Sequence, residues 1–147
     1  MKYFHIILII IIAALIIFAI KSEFNKKTNV LINNIYFNGE IAKTDAQKAT
    51  GLAKYNKIDD NFTMVFPFIL PDYYTFWMKD MKFPIDIIYV RKNKIVDIFQ
   101  SVQAPKNADA ALPIIRPSEK SDTVLEINAG LSNKYKFKKG DTVQINY

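Results

Sequence analysis

The chain has 147 residues, half of them apolar, and a formal charge of +6. That length suits one domain and is short for two. The absence of cysteine excludes a disulfide framework, thiolate zinc sites, a cysteine nucleophile and a lipid-modified cysteine.

Ile6 to Ile20 is an uninterrupted apolar run, extended by Tyr3 and Phe4. Eighteen helical residues at about 1.5 Å each reach about 27 Å, enough for a thin hydrocarbon core. A fully apolar helix has no polar face to turn toward water, so a core helix of a very small protein is a poor alternative. Lys2 provides a short positive end, and Ile17, Ile20 and Lys21 spoil the small-residue spacing a signal peptidase needs. The segment is therefore expected to be an uncleaved transmembrane signal anchor over residues 1–21. Lysines flank both of its ends, so charge does not fix the orientation. A five-residue leader before a folded domain favours the domain outside the cytoplasm. His5, the only histidine, falls at the membrane edge.

Residues 22–29 read as a tether, and residues 30–147 as one domain. Four lysines against one glutamate give the first 27 residues half of the net charge, leaving +3 for everything after them. Such a small excess argues against nucleic acid as a partner.

Val30 to Phe37 reads as a strand, Asn38-Gly39 as a hairpin turn, and Ile41 to Lys43 as the returning strand. Thr44 and Gln47 have capping-box spacing, predicting a helix to about Leu52, the one convincing helix after the anchor. Further strands are predicted over Phe62 to Ile69, Tyr74 to Asp80, Pro84 to Val90, Lys94 to Gln100, Asp122 to Ala129 and Asp141 to Tyr147. Lys92-Asn93 marks a turn, and Ser101 to Ser121, with three prolines, an irregular loop. The expected fold is mainly β: a compact β-sandwich or squat barrel with one short helix, behind one transmembrane helix.

The segment around Trp77 is the candidate site. Along a strand Trp77 and Lys79 share one face, and Met78 and Asp80 the other. If this strand forms a hairpin with the next, Asp80 and Asp86 lie diagonally on one face. Carboxylates that close raise one pKa or invite a cation. A register slip of one residue brings Lys79 toward Asp86 instead. The plainer alternative makes Asp86 an acceptor of backbone hydrogen bonds and Trp77 a core residue. Trp77, Lys79, Asp80 and Asp86 are the candidate binding residues.

Other constellations are missing. Without a histidine beyond His5 the domain has no Ser-His-Asp arrangement and no histidine metal site. The glycines at 39, 51, 130 and 140 stand singly, so no phosphate-cradling loop is present. Asp59-Asp60-Asn61 lacks calcium-loop spacing and reads as turn capping. Lys134 to Lys139 interleaves lysines with Tyr135 and Phe137, and reads as an edge segment with the aromatics inward. No catalytic residue, metal ligand or cofactor is expected.

Phe76-Trp77-Met78-Lys79-Asp80 and Pro84-Ile85-Asp86-Ile87-Ile88 resemble the Trp-Met-Lys-Asn-Thr…Pro-Leu-Asp-Ile signature of the domain-of-unknown-function family 192. Gly51-Leu52, Met64-Val65-Phe66, Val124 to Gly130 and Gly140-Asp141 with Val143 fall in that family's order. The resemblance implies a compact β fold with little helix, often behind a signal or anchor, and no established reaction. Departures fall at Ala53, where Met is usual, and at Tyr55, where Arg is common. Thr63 stands for Gly, and Asp80-Met81 for Asn-Thr. The leading expectation is a small extracytoplasmic binding module whose partners are the membrane, through the anchor, and an envelope protein or small ligand. A metal-dependent or carboxylate hydrolase of envelope material, and a structural envelope component, are the alternatives.

Overall fold

A computed structural model describes residues 6–15, 28–107 and 110–146. Residues 6–15 form a helix, α1, exposed along its length. Among the described residues no helix is long and apolar enough to cross a membrane. The rest of the expected anchor, residues 1–5 and 16–21, lies outside the described residues, as does most of the tether.

Thr28–Ile32 (β1) and Ile35–Ile41 (β2) make the first hairpin, with Ile32 opposite Ile35. Its turn is Asn33-Asn34, not Asn38-Gly39 as the sequence predicts. Asn33 supplies the left-handed conformation at φ 51, which Asn tolerates better than most residues. Gly39 sits within β2 for a different reason. A Cβ there would collide with Cγ2 of Thr28 on the paired strand.

The capping box forms as expected. Gln47 N–H donates to Thr44 Oγ1 at 3.2 Å, and Thr44 N–H donates to Gln47 Oε1 at 2.9 Å. It opens Asp45–Thr50 (α2), which passes into a 3-10 turn over Gly51–Lys54. Together they carry the chain across to Phe62–Asp72 (β3), which pairs parallel with β2.

Phe76–Trp77 (β4) is shorter than predicted and does not pair with the next strand. Its partner is Ile114–Ile115 (β7), inside the segment expected to be irregular. The reason is that Ile85–Arg91 (β5) has both edges occupied, by Lys94–Val102 (β6) and Ser121–Asn128 (β8). The Lys92-Asn93 turn joining β5 to β6 forms as expected, both residues being left-handed at φ 48 and 61. Leu131–Lys134 (α3) is a second short helix that the sequence did not announce. Beyond it Lys136 turns at φ 57, so the Lys134–Lys139 strip is not a strand, although Phe137 is buried and Tyr135 packs against the core. Val143–Asn146 (β9) completes the order.

Seven strands form one sheet in the order β6-β5-β8-β3-β2-β1-β9. The sheet curls until its two ends approach: Lys94 bridges Thr142, and Ile95 exchanges backbone hydrogen bonds with Gly140 and Asp141 at 2.8 and 2.9 Å. The result is a half-barrel. Its interior draws a core residue from every strand of the sheet, including Val30, Phe37, Val65, Ile88, Ile95, Leu125 and Val143. The outer face of β3, β5 and β8 carries a second core, in which Met64, Phe66, Ile87, Tyr89 and Val124 are covered by Leu52, Met78 and Met81. Burial of both faces explains why Ile85 to Val90 is buried at every position.

Candidate functional site

The α2 helix and its 3-10 turn lie over the outer face of the sheet, with the β4 segment beside them. Between them is a hollow of about 210 Å³, lined by Lys48, Gly51, Phe68, Tyr74, Trp77 and Lys79 among others. Its shape follows from the chain direction around β4. Met78 points into the outer core and is fully buried, which turns its neighbours Trp77 and Lys79 outward. Trp77 is 52% exposed, so the core role open to it in the sequence is not the one it takes. Lys79 Nζ stands 5.8 Å from the centre of the Trp77 ring.

Across the hollow, Tyr74 stacks on Phe68 with ring centres 3.5 Å apart, and Lys48 Nζ lies 4.4 Å from the Phe68 ring centre. Asp80, left-handed at φ 58, is exposed and lines an adjoining depression with Trp77, Lys79, Thr50 and Lys54. Trp77, Lys79 and Asp80 therefore come together. Their turn, closed by Met81 N–H donating to Met78 O at 3.2 Å, replaces the expected hairpin.

Asp86 is elsewhere. It is fully buried on the opposite face of β5, whose outward neighbours Ile85 and Ile87 belong to the outer core. Oδ1 accepts from Ser101 N–H at 2.7 Å and Gly130 N–H at 3.0 Å, and Oδ2 accepts from Ser132 N–H at 2.8 Å. This is the plainer alternative: a carboxylate that clamps three backbone segments. The diagonal pairing of Asp80 with Asp86 requires a β4–β5 hairpin that does not form.

Glu126 is a functional candidate that sequence reasoning missed. It sits on β8 opposite Met64 of β3 and Ile87 of β5, so its side chain enters the outer core. The backbone N–H of Leu52 faces its carboxyl group, and Oε2 is buried with no hydrogen-bond partner among the described residues. Burial pushes its pKa up to about 8, the Leu52 hydrogen bond offsetting this in part. Gly51, at φ 51, lies directly over it: a Cβ there would come within 3.3 Å of Oε2 and 3.4 Å of Phe66 Cζ. Because Gly51 also lines the hollow, a neutral carboxylic acid stands behind one wall of the candidate site. The only signal in the sequence is a lone acid between Leu125 and Ile127, which alternation assigns to solvent.

Tyr55 closes the far side of the 3-10 turn. Its hydroxyl donates to Glu40 Oε2, and burial followed by that bond holds its pKa well above the ordinary value. Among the described residues no group of three or more His, Cys, Asp or Glu is arranged to hold a metal ion.

No curated protein matches the chain significantly. A crystal structure of a protein of unknown function from Novosphingobium aromaticivorans superimposes with a TM-score of 0.68 at 30% identity, covering 80% of this chain and 83% of that one. A candidate transcription regulator from Sinorhizobium meliloti superimposes with a TM-score of 0.70 at 21% identity, covering 80% of this chain and 91% of that one, which shows a shared fold. The profile of DUF192, described as Uncharacterized ACR, matches residues 28–145. The chain therefore belongs to the domain-of-unknown-function family 192, whose profile spans the whole half-barrel.

Proposed function

We propose that the protein is a small binding module, held at the extracytoplasmic face of a membrane by its N-terminal apolar segment, and that its ligand occupies the hollow beside Trp77. The observation that carries this reading is the exposed indole with a lysine at its edge and a second lysine across an aromatic-lined hollow. An exposed large aromatic at a concave surface is a common anchor for recognition. The lining suits a ligand with a flat or apolar face to stack on Trp77 and an anionic group to meet Lys79 and Lys48. The anchor rests on the apolar run Ile6 to Ile20 and on helical structure at residues 6–15.

Trp77 is the only tryptophan, so its fluorescence reports on this site alone. Small-molecule fractions of the envelope, titrated against the purified chain, should shift or quench that emission saturably, and Lys79→Ala should weaken the response. A response unchanged by Lys79→Ala would move the ligand away from the hollow.

Hydrolysis of envelope material is a second reading, favoured by Glu126, a buried acid protonated at neutral pH behind the Gly51 wall. Under it, turnover of a substrate seated in the hollow should be abolished by Glu126→Gln, whereas a binding module retains its ligand in that variant.

A further inference from the structure

The β3 strand carries an irregularity that the binding reading leaves unused. Its register with β8 jumps from Pro67 opposite Thr123 to Asp72 opposite Ser121. Four residues of β3, 68–71, thus face one residue of β8, Asp122, and the excess chain protrudes. Pro67 and Pro71 flank the protrusion and bring no N–H group to the ladder. At its tip Ile69 is 99% exposed and Leu70 71%. Tyr74 O–H donates to Leu70 O at 2.6 Å and braces the tip from the following turn.

The β4–β7 ribbon continues the same surface. Trp77 is paired with Ile114, which is 72% exposed, and Tyr73, between the tip and β4, is exposed as well. Two adjacent aliphatic side chains this exposed on a braced protrusion are unusual for a protein surface that meets only water. Cations surround them. Arg116 and Lys120 both lie within 6 Å of the Tyr73 ring, Lys48 stands over Phe68, and Lys79 over Trp77. Among the described residues two exposed carboxylates share this end, Asp72, 3.8 Å from Lys120, and Asp80, and the half-buried Asp122 behind the protrusion accepts from Lys92 N–H. Four cations against these three carboxylates leave the described part of this end net positive.

We propose that this end of the molecule docks on an anionic phospholipid surface, with Ile69, Leu70 and Ile114 entering the acyl boundary and the lysines and Arg116 meeting phosphates. Three features select lipid as the occupant. Aliphatic tips with Trp and Tyr beside them match the layered polarity of a bilayer interface. The surrounding positive charge matches anionic headgroups. The apolar segment that precedes the domain, Ile6 to Ile20, ends eight residues before Thr28 of β1. The eight peptide steps from Ile20 to Thr28 can span at most about 27 Å, which keeps the domain within reach of the lipid surface. The inference rests on the anchored reading above, and it brings the Trp77 hollow to the membrane surface.

The test uses the full chain reconstituted into vesicles of phosphatidylcholine with one-third phosphatidylglycerol, with and without brominated acyl chains, and reads the single tryptophan. Trp77 emission should move to shorter wavelength and be quenched by brominated lipid. The double variant Ile69→Asp, Leu70→Asp should still float with the vesicles, unfold at the same temperature as the parent, and lose at least half of the quenching. Omitting phosphatidylglycerol should reduce quenching in the parent. A parent chain that floats with the vesicles while Trp77 remains unquenched overturns the docking and leaves the anchor standing. A parent that does not float overturns both. Quenching that persists in the double variant, or emission that responds to protein density rather than lipid, also overturns the proposal, the latter assigning the face to a second copy of the chain.

Discussion

Asp86 and Glu126 are carboxyl groups withdrawn from water on neighbouring strands, β5 and β8, and their surroundings treat them in opposite ways. Asp86 receives three backbone N–H groups, from Ser101, Gly130 and Ser132. Asp86→Asn places an amide N–H against one of those donors and removes the charge that strengthens the others. It should cost about 2–4 kcal/mol of stability by denaturant unfolding, without altering a ligand at Trp77. Glu126 has only the Leu52 backbone N–H facing it and an Oε2 unpartnered among the described residues, so burial favours its neutral form. Its pKa is raised in the folded state, so the folded state holds a proton that the unfolded chain releases between about pH 4.5 and 8. With respect to this group stability should therefore be highest at and below about pH 4.5 and fall as pH rises to about 8, by an amount on the order of a few kcal/mol. Glu126→Gln should flatten that slope and make the protein more stable than the parent at pH 8.5, measured by thermal unfolding across the pH range. Glu126 stands between Leu125 and Ile127, and local alternation cannot distinguish a covered outer face from a wet one. That is why Glu126 was invisible in the sequence.

At the scale of elements, local chemistry was legible where it acts within a few residues. The Thr44–Gln47 capping box and the Lys92-Asn93 turn are built from neighbouring backbone groups and form where the sequence places them. Asn38-Gly39 misled because the demand on Gly39 comes from Thr28, on another strand. Gly39→Ala should destabilise the domain by about 1–3 kcal/mol, since the collision is relieved either by turning the Thr28 side chain away from its hydrogen bond to Asn146 O or by parting β1 from β2. A loss below 0.5 kcal/mol in denaturant unfolding would show that the two strands yield there. The β4 segment misled for a topological reason: a hairpin to β5 was the local choice, but β8, arriving 30 residues later, takes that edge. With β4 displaced to β7, Trp77, Lys79 and Asp80 remain together while Asp86 is removed from them. Three of the four candidate residues were thus legible as a group, because they are neighbours in the chain.

The whole molecule is a curled sheet with a core on each face, and the candidate site lies on the outer one, where α2 and the β4 segment leave a gap. A mainly β barrel-like fold was readable from strand spacing. The number of layers over the sheet was not, because coverage is set by segments that carry no periodicity of their own. If the apolar N-terminal run anchors this domain, the chain should sediment with membranes, and deletion of residues 1–21 should release a folded domain into the soluble fraction. Protease added outside intact cells stripped of their outer layers should then digest the domain only in the anchored form. Recovery of the full chain in the soluble fraction would contradict the anchor while leaving the hollow untouched.

On the binding reading the hollow at Trp77 is occupied in life. Native mass spectrometry of the full chain, extracted in detergent from its own cells beside Trp77→Ala, tests it most directly. A bound mass is expected on the parent, lost in Trp77→Ala and retained in Glu126→Gln. A parent that carries no added mass, or an adduct equally abundant on Trp77→Ala, would contradict it.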